Sequence, residues 1–125
     1  MIKRTLVAIL LAAATFATAA DPTAQLAGKW QVHINVSDRE SDWACTFTQE
    51  GSDLGGTCAS ERGNSEVTGK VDGQKVTWTI KVTTQANGVV TLQYRGALTS
   101  PTEMKGFVNV AEYGVEGQFT GFLAK

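Results

Sequence analysis

The sequence predicts an all-β protein: an eight-stranded antiparallel up-and-down β-barrel preceded by a short N-terminal helical turn. Three observations lead to this prediction: short stretches of alternating apolar and polar residues, turn signals between them, and glycines within them. Period-two alternation places one set of side chains on each face of a strand. Hairpin-length connections make a meander the simplest topology, and glycine inside a strand is typical of a wall that bends sharply. Closure also removes the exposed sheet edges.

The clearest alternation covers residues 66–82, on both sides of Asp72-Gly73. Asp-Gly supplies the positive φ angles that a two-residue type I′ turn requires. We therefore predict a β-hairpin with one apolar and one polar face. The apolar face consists of Val67, Val71, Val76, Trp78, Ile80 and Val82.

The same pattern recurs along the chain and predicts the remaining strands. The predicted strands cover residues 28–36, 43–49, 54–58, 66–71, 74–82, 89–98, 103–111 and 115–124. Residues 37–42 are predicted to be a polar connection, and residues 61–65 a turn. Asn87-Gly88 is a further turn signal. With no linker and no long helical pattern, the chain reads as one barrel domain over residues 21–125.

Residues 1–20 have the three parts of a secretory signal peptide. Lys3 and Arg4 supply positive charge, residues 5–16 an apolar run, and residues 17–20 small side chains for cleavage. The apolar run is shorter than the roughly 20 residues that span a bilayer, which disfavours a membrane anchor. We therefore predict a secreted or periplasmic protein whose mature chain does not insert into a membrane.

The mature chain is predicted to begin with a short helical turn and to be mildly acidic. Asp21 is a suitable N-cap, and Pro22 suits the first helical position. Loss of Lys3 and Arg4 lowers the formal net charge of −1 by two, to −3. Because the remaining cations are scattered, the domain lacks the basic patch of a nucleic-acid-binding protein, and we expect no nucleic-acid partner.

Cys45 and Cys58 are the only cysteines. A chain folded back about Gly51 and Ser52 sets them opposite each other on neighbouring strands, where a disulfide can form. An exported protein meets an oxidising compartment, which favours this bond. Two cysteines are too few for a metal site, and a redox pair would more typically read Cys-x-x-Cys. We predict a structural disulfide.

The sequence contains no motif that predicts catalysis. His33 is the only histidine, and the alternation places it on the outward, exposed face of its strand. Asp38, Glu40 and Asp42 alternate as calcium ligands can, but they lack the Gly and the terminal Glu of a calcium-binding loop, which favours a solvated turn. We therefore predict a non-enzymatic protein without a metal or cofactor.

The candidate binding site is the barrel interior. Its predicted ligand-contacting residues are Trp30, Trp43, Phe47, Trp78, Tyr94, Met104 and Phe119. An eight-stranded barrel is just wide enough for side chains to fill it, or to admit one small ligand. The sequence is compatible with either a core filled by side chains or an apolar pocket. In a pocket, aromatic rings would stack on the ligand and Tyr94 could donate one hydrogen bond.

Leu26-Ala27-Gly28-Lys29-Trp30 resembles the Gly-x-Trp opening of lipocalins and related calycin barrels, in which the Trp plugs one end. Residues 71–78 and 117–121 look like parts of small secreted bacterial lipocalin-like or avidin-like barrels. The resemblance implies a small apolar or aromatic molecule held in the cup. Avidins bind biotin through polar side chains, and the apolar interior predicted here departs from that pattern, so biotin is not implied.

A second interpretation follows from the same resemblance. Bacterial inhibitors of secreted metalloproteases are also small periplasmic calycin-like barrels with a Gly-x-Trp opening, a disulfide and an N-terminal arm that enters the protease cleft. Residues 20–25 could play the part of that arm, although the cysteine spacing differs. The alternative prediction is a protein-binding barrel that acts through this arm or through its surface.

Overall fold

The computed structural model describes residues 23–61, 63–84 and 88–124. These residues form nine β-strands, and among them no helix is long and apolar enough to cross a membrane. The strands are β1 (Gly28–Val36), β2 (Arg39–Glu50), β3 (Asp53–Ser60), β4 (Gly63–Glu66), β5 (Thr68–Asp72), β6 (Lys75–Thr84), β7 (Gly88–Ser100), β8 (Glu103–Val110) and β9 (Val115–Leu123). The predicted signal peptide lies outside the described residues.

The strands close into a ring. Each pairs antiparallel with its neighbours in the order β2-β1-β9-β8-β7-β6-β5-β3-β4, and β2 also pairs with β3. The first strand meets the last: Trp30 lies opposite Cys45 on one side and Leu123 on the other. β4 and β5 both pair with β3, as two parts of one strand interrupted at Val67. The described residues thus form the predicted closed, eight-stranded antiparallel barrel.

The hairpin over residues 66–82 has the predicted faces, but its turn lies one residue later than predicted. Asp72 pairs with Lys75, so Gly73 and Gln74 form the two-residue loop. Gly73 has a φ of 61°, whereas Gln74 has no positive φ. This sign pattern belongs to a type II′ turn rather than the predicted type I′. The shift sets Val71 opposite Val76, so that both side chains face inward.

Two other predicted connections are shorter in the structure. Only Ser37 and Asp38 connect β1 to β2, with φ angles of 52° and 64° that suit a type I′ turn. Of the residues predicted to form a turn over 61–65, three belong to β4 and pair with β3: Gly63, Asn64 and Ser65. Exposed polar residues of a strand have the same composition as a loop, which explains both errors, although Ser65 itself is buried.

One end of the barrel is closed by the segment that precedes β1. Residues 23–27 contain no helical residue, and Asp21 and Pro22 of the predicted helical turn lie outside the described residues. Leu26 is fully buried, and its carbonyl accepts a hydrogen bond from Trp30 Nε1 at 2.9 Å. The Gln49 side chain ties the segment down: its Oε1 accepts from the Leu26 N–H and its Nε2 donates to the Ala24 carbonyl, each at 2.8 Å.

The predicted disulfide is present and lies inside the barrel. Cys45 pairs with Cys58 in the β2–β3 register, and their sulfurs are bonded. Both residues are buried, so the bond belongs to the core. A buried structural disulfide indicates a non-reducing environment.

Glycines let the wall approach the core closely at one point. Gly96 and Gly106 face each other across β7 and β8. A Cβ on Gly96 would stand 2.8 Å from the ring of Phe119, and a Cβ on Gly106 would overlap the carbonyl oxygen of Arg95. Gly96 therefore leaves room for the Phe119 ring on β9, and Gly106 allows the β7 and β8 backbones to come close together.

Candidate functional site

The middle of the barrel is filled by a cluster of four rings. Trp78 stacks on Tyr94 with ring centroids 4.4 Å apart. Phe47 and Phe119 each meet Trp78 edge-on at 5.2 Å. All four residues are buried, and burial raises the pKa of the Tyr94 hydroxyl above its usual value. This central cluster is packed core.

The end opposite Trp30 is an open cup with a volume of about 1040 Å³. Its aliphatic wall consists of Ile34, Val36, Val90, Leu92, Val110 and Val115. Its polar lining residues are Ser37, Arg39, Ser41, Glu61, Thr83 and Thr84, and Tyr113 stands beside them. The wall residues follow from strand alternation, because each is an inward-facing position near the open end of its strand. The cup thus combines an apolar wall with a polar rim.

The turn that carries Tyr113 is held to β7. The Glu112 carboxylate accepts hydrogen bonds from the Thr91 backbone N–H at 2.7 Å and from the Thr91 hydroxyl at 2.8 Å. These bonds lower the pKa of Glu112. Tyr113 is 53% exposed, so an aromatic ring stands free at the mouth of the cup.

All seven residues predicted to contact a ligand are buried inside the barrel. None of them lines the cup, whose wall is aliphatic. Trp78 and Tyr94 border a shallow depression of about 530 Å³ on the outer wall, with polar neighbours such as Thr77, Gln93 and Arg95. A ligand contact by any of the seven remains a prediction. The six aliphatic wall residues were not predicted as a set, although alternation along their strands indicates that they face inward.

Two tryptophan N–H groups in the interior lack a protein acceptor. Trp43 Nε1 and Trp78 Nε1 are covered by neighbouring atoms and make no hydrogen bond within the described part of the chain. Trp30 differs, because its Nε1 donates to Leu26. Buried Trp N–H groups usually have a partner.

His33 lies on the outer surface between two carboxylates. Its Nδ1 is 2.6 Å from Asp42 Oδ1, and its Nε2 is 2.7 Å from Glu40 Oε1. The hydrogen bond to Asp42, followed by that to Glu40, raises the pKa of His33. This cluster was not predicted, because both carboxylates were expected to lie in a loop. Among the described residues, no three His, Cys, Asp or Glu side chains are grouped so as to hold a metal ion.

The fold and site define a small β-barrel with one plugged end and one open apolar end. The chain is similar to a solved structure described as a redesigned β-barrel, with a TM-score of 0.60 and 21% sequence identity, covering 80% of this chain and 92% of the other. At this identity the likeness shows the fold alone. No protein-family model and no curated protein matches the chain.

Proposed function

We propose that this protein binds a small apolar or aromatic molecule in the open cup and performs no chemistry on it. The observation that carries the proposal is the aliphatic wall at an open end, above a filled core and opposite a plugged end. Small-molecule sites are typically concave, largely apolar clefts of roughly 300–1,000 Å³ with a few polar groups. The cup has about this size and composition, with a volume near 1040 Å³.

The driving force for binding would be the removal of apolar surface from water. Each buried square ångström of apolar surface contributes roughly 25 cal/mol. The polar rim residues, such as Arg39 and Thr84, would stay solvated while the apolar body of the ligand enters. Tyr113 at the mouth would cover the outer end of the ligand.

We infer further that the protein is a lipocalin-like barrel that acts outside the cytoplasm. Trp30 at the closed end, bonded to Leu26, supports the likeness to the Gly-x-Trp opening of calycins. The buried disulfide and the signal-like residues 1–20 support export to the periplasm or the medium.

The protein-binding alternative gains no specific support from the described residues. Thr23–Gln25, the described half of the predicted arm, lies against the barrel: the Ala24 N–H donates to the Gly73 carbonyl at 2.8 Å, and Gln49 holds the Ala24 carbonyl. Residues 20–22 lie outside the described residues. Inhibition of a protease through this arm stays a prediction.

Binding is tested by titrating the full chain with a neutral apolar fluorescent probe such as N-phenyl-1-naphthylamine. Val90→Thr and Val89→Thr form a matched pair, because Val90 lines the cup whereas Val89 is 53% exposed on the outer face. A hydroxyl in an apolar wall costs about 1 kcal/mol or more when a ligand covers it. We expect Val90→Thr to weaken probe binding about fivefold and Val89→Thr to leave it unchanged.

Two results would count against the proposal. One is the absence of any fluorescence response to apolar and aromatic probes in the folded protein. The other is equal weakening by the two threonine substitutions, which would show that the probe binds outside the cup.

A further inference from the structure

The three tryptophans differ in whether their indole N–H group has an acceptor. Trp30 has an acceptor for its indole N–H, the Leu26 carbonyl at 2.9 Å. The indole nitrogens of Trp43 and Trp78 are covered and have no acceptor among the described residues. An unpaired buried donor is costly, because the group loses its hydrogen bond to water and gains none in return. Such a donor can bond to an acceptor from outside the chain.

Trp43 and Trp78 differ in their distance from the cup. Trp78 lies in the central cluster, stacked on Tyr94 and contacted edge-on by Phe47 and Phe119. Trp43 lies two residues from Ser41 on β2 and opposite Val32 on β1.

The cup lies directly above Trp43 in the β1–β2 register. Ser41 pairs with Ile34, and both residues line the cup. Because alternate residues of a strand point to the same face, the Trp43 side chain occupies the next inward position beneath this pair. Trp43 therefore belongs to the layer immediately below the cup.

We propose that Trp43 Nε1–H donates a hydrogen bond to the ligand, and that the ligand is an apolar or aromatic molecule carrying a carbonyl or ether oxygen at its buried end. This inference rests on the proposed function and narrows its ligand class. The nitrogen is covered, so binding includes a small movement of the Trp43 ring or of the side chains above it. A ligand without an acceptor leaves the N–H unpaired, and sites built on a buried hydrogen bond discriminate strongly against such ligands.

The test uses two ligands of almost equal shape, 2-acetylnaphthalene and 2-isopropenylnaphthalene, which differ by a carbonyl oxygen in place of a methylene group. Each is titrated into the ¹⁵N-labelled full chain, and the indole N–H resonances are followed by NMR. We expect the ketone to bind about tenfold more tightly, as one hydrogen bond permits. The Trp43 indole proton should move downfield with the ketone alone, and the Trp30 indole proton should stay in place.

Trp43→Phe provides the second measurement. Phenylalanine supplies an apolar aromatic ring without the indole N–H donor, so the ketone should then bind no more tightly than the alkene. The indole shifts of the unmodified chain decide the question even where this variant fails to fold.

The results of these experiments distinguish the hydrogen bond from Trp43 from the proposed binding in the cup. If both ligands bind equally well and the Trp43 indole resonance does not move, the proposed hydrogen bond is wrong, while binding in the apolar cup is still supported. If neither ligand binds and the neutral probe does not bind either, both the proposed binding in the cup and the Trp43 hydrogen bond are wrong.

Discussion

Trp78 and Tyr94 are cross-strand partners on β6 and β7 whose rings lie nearly parallel, with an interplanar angle of 9° and centroids 4.4 Å apart. Phe119 meets both rings edge-on, at 5.2 Å from Trp78 and 5.3 Å from Tyr94. Offset and edge-on arrangements of this kind stabilise a core beyond the area they bury. The cluster divides the barrel into a plugged end and an open cup.

Burial of Tyr94 predicts a loss of stability at alkaline pH. Burial raises the pKa of the Tyr94 hydroxyl in the folded state, whereas a tyrosine in the unfolded chain has a pKa of about 10. The folded state therefore holds the proton more tightly, and stability that is fully present below pH ~10 falls as the pH rises above it. Denaturant unfolding at increasing pH should show the unmodified chain losing stability faster than Tyr94→Phe. Parallel losses in the two proteins would contradict the prediction.

The close backbone contacts at Gly106 predict that alanine at this position destabilises the protein. A Cβ at Gly106 would meet the Arg95 carbonyl oxygen and the Gly96 Cα, and backbone atoms cannot move aside easily. We expect Gly106→Ala to lower the free energy of unfolding by about 3 kcal/mol. Gly55→Ala is the matched control, since the nearest atom to its Cβ is the Thr48 hydroxyl at 3.3 Å; it should change stability by less than about 1 kcal/mol. Similar values for the two variants would refute the account of the glycines.

The disulfide predicts a stability that depends on redox conditions. Cys45 and Cys58 are 13 residues apart, and closing a loop of this size contributes about 3 kcal/mol in the chain-entropy model. Equilibrium unfolding with and without reductant should differ by about this amount, and Cys45→Ala with Cys58→Ala should match the reduced protein. An unchanged unfolding midpoint after complete reduction would show that the bond contributes little.

The two carboxylates beside His33 predict a small loss of stability as the pH rises. Asp42 first, and Glu40 second, raise the pKa of His33 above its ordinary value of 6.5. The stabilisation is therefore fully present below pH 6.5 and is lost as the pH rises through the folded-state pKa. The three side chains are exposed, so salt should weaken the effect. An NMR titration of His33 should show a larger fall in pKa for Asp42→Asn than for Glu40→Gln, and the reverse order would contradict the assignment.

Much of the fold could be predicted because local rules decide it. Alternation identified the inward set, so Trp30, Trp78 and Phe119 are buried as expected. The turn after β2 lies at Gly51-Ser52 as predicted, and this alone sets Cys45 opposite Cys58. Closure followed from the number of strands and the short connections between them.

The rest depends on register, which periodicity does not specify. A shift of one residue at the Gly73-Gln74 turn decides which residues pair across the hairpin. His33 meets Asp42 because the β1–β2 turn is only two residues long, and the sequence had suggested a longer loop. Likewise, alternation shows that Val90 and Trp78 both point inward, but only the stagger of the strands places Val90 at the cup and Trp78 in the packed centre.

The most direct test of the cup is methyl NMR of the valine-labelled protein during titration with N-phenyl-1-naphthylamine. We expect shifts confined to the methyl groups of the valines that line the cup, which are Val36, Val90, Val110 and Val115. The methyl groups of Val71 and Val76 in the core, and of Val89 on the outer face, should stay in place. Shifts centred on Val89, or none at the four cup valines at saturating probe, would contradict the claim that the open end binds small apolar molecules.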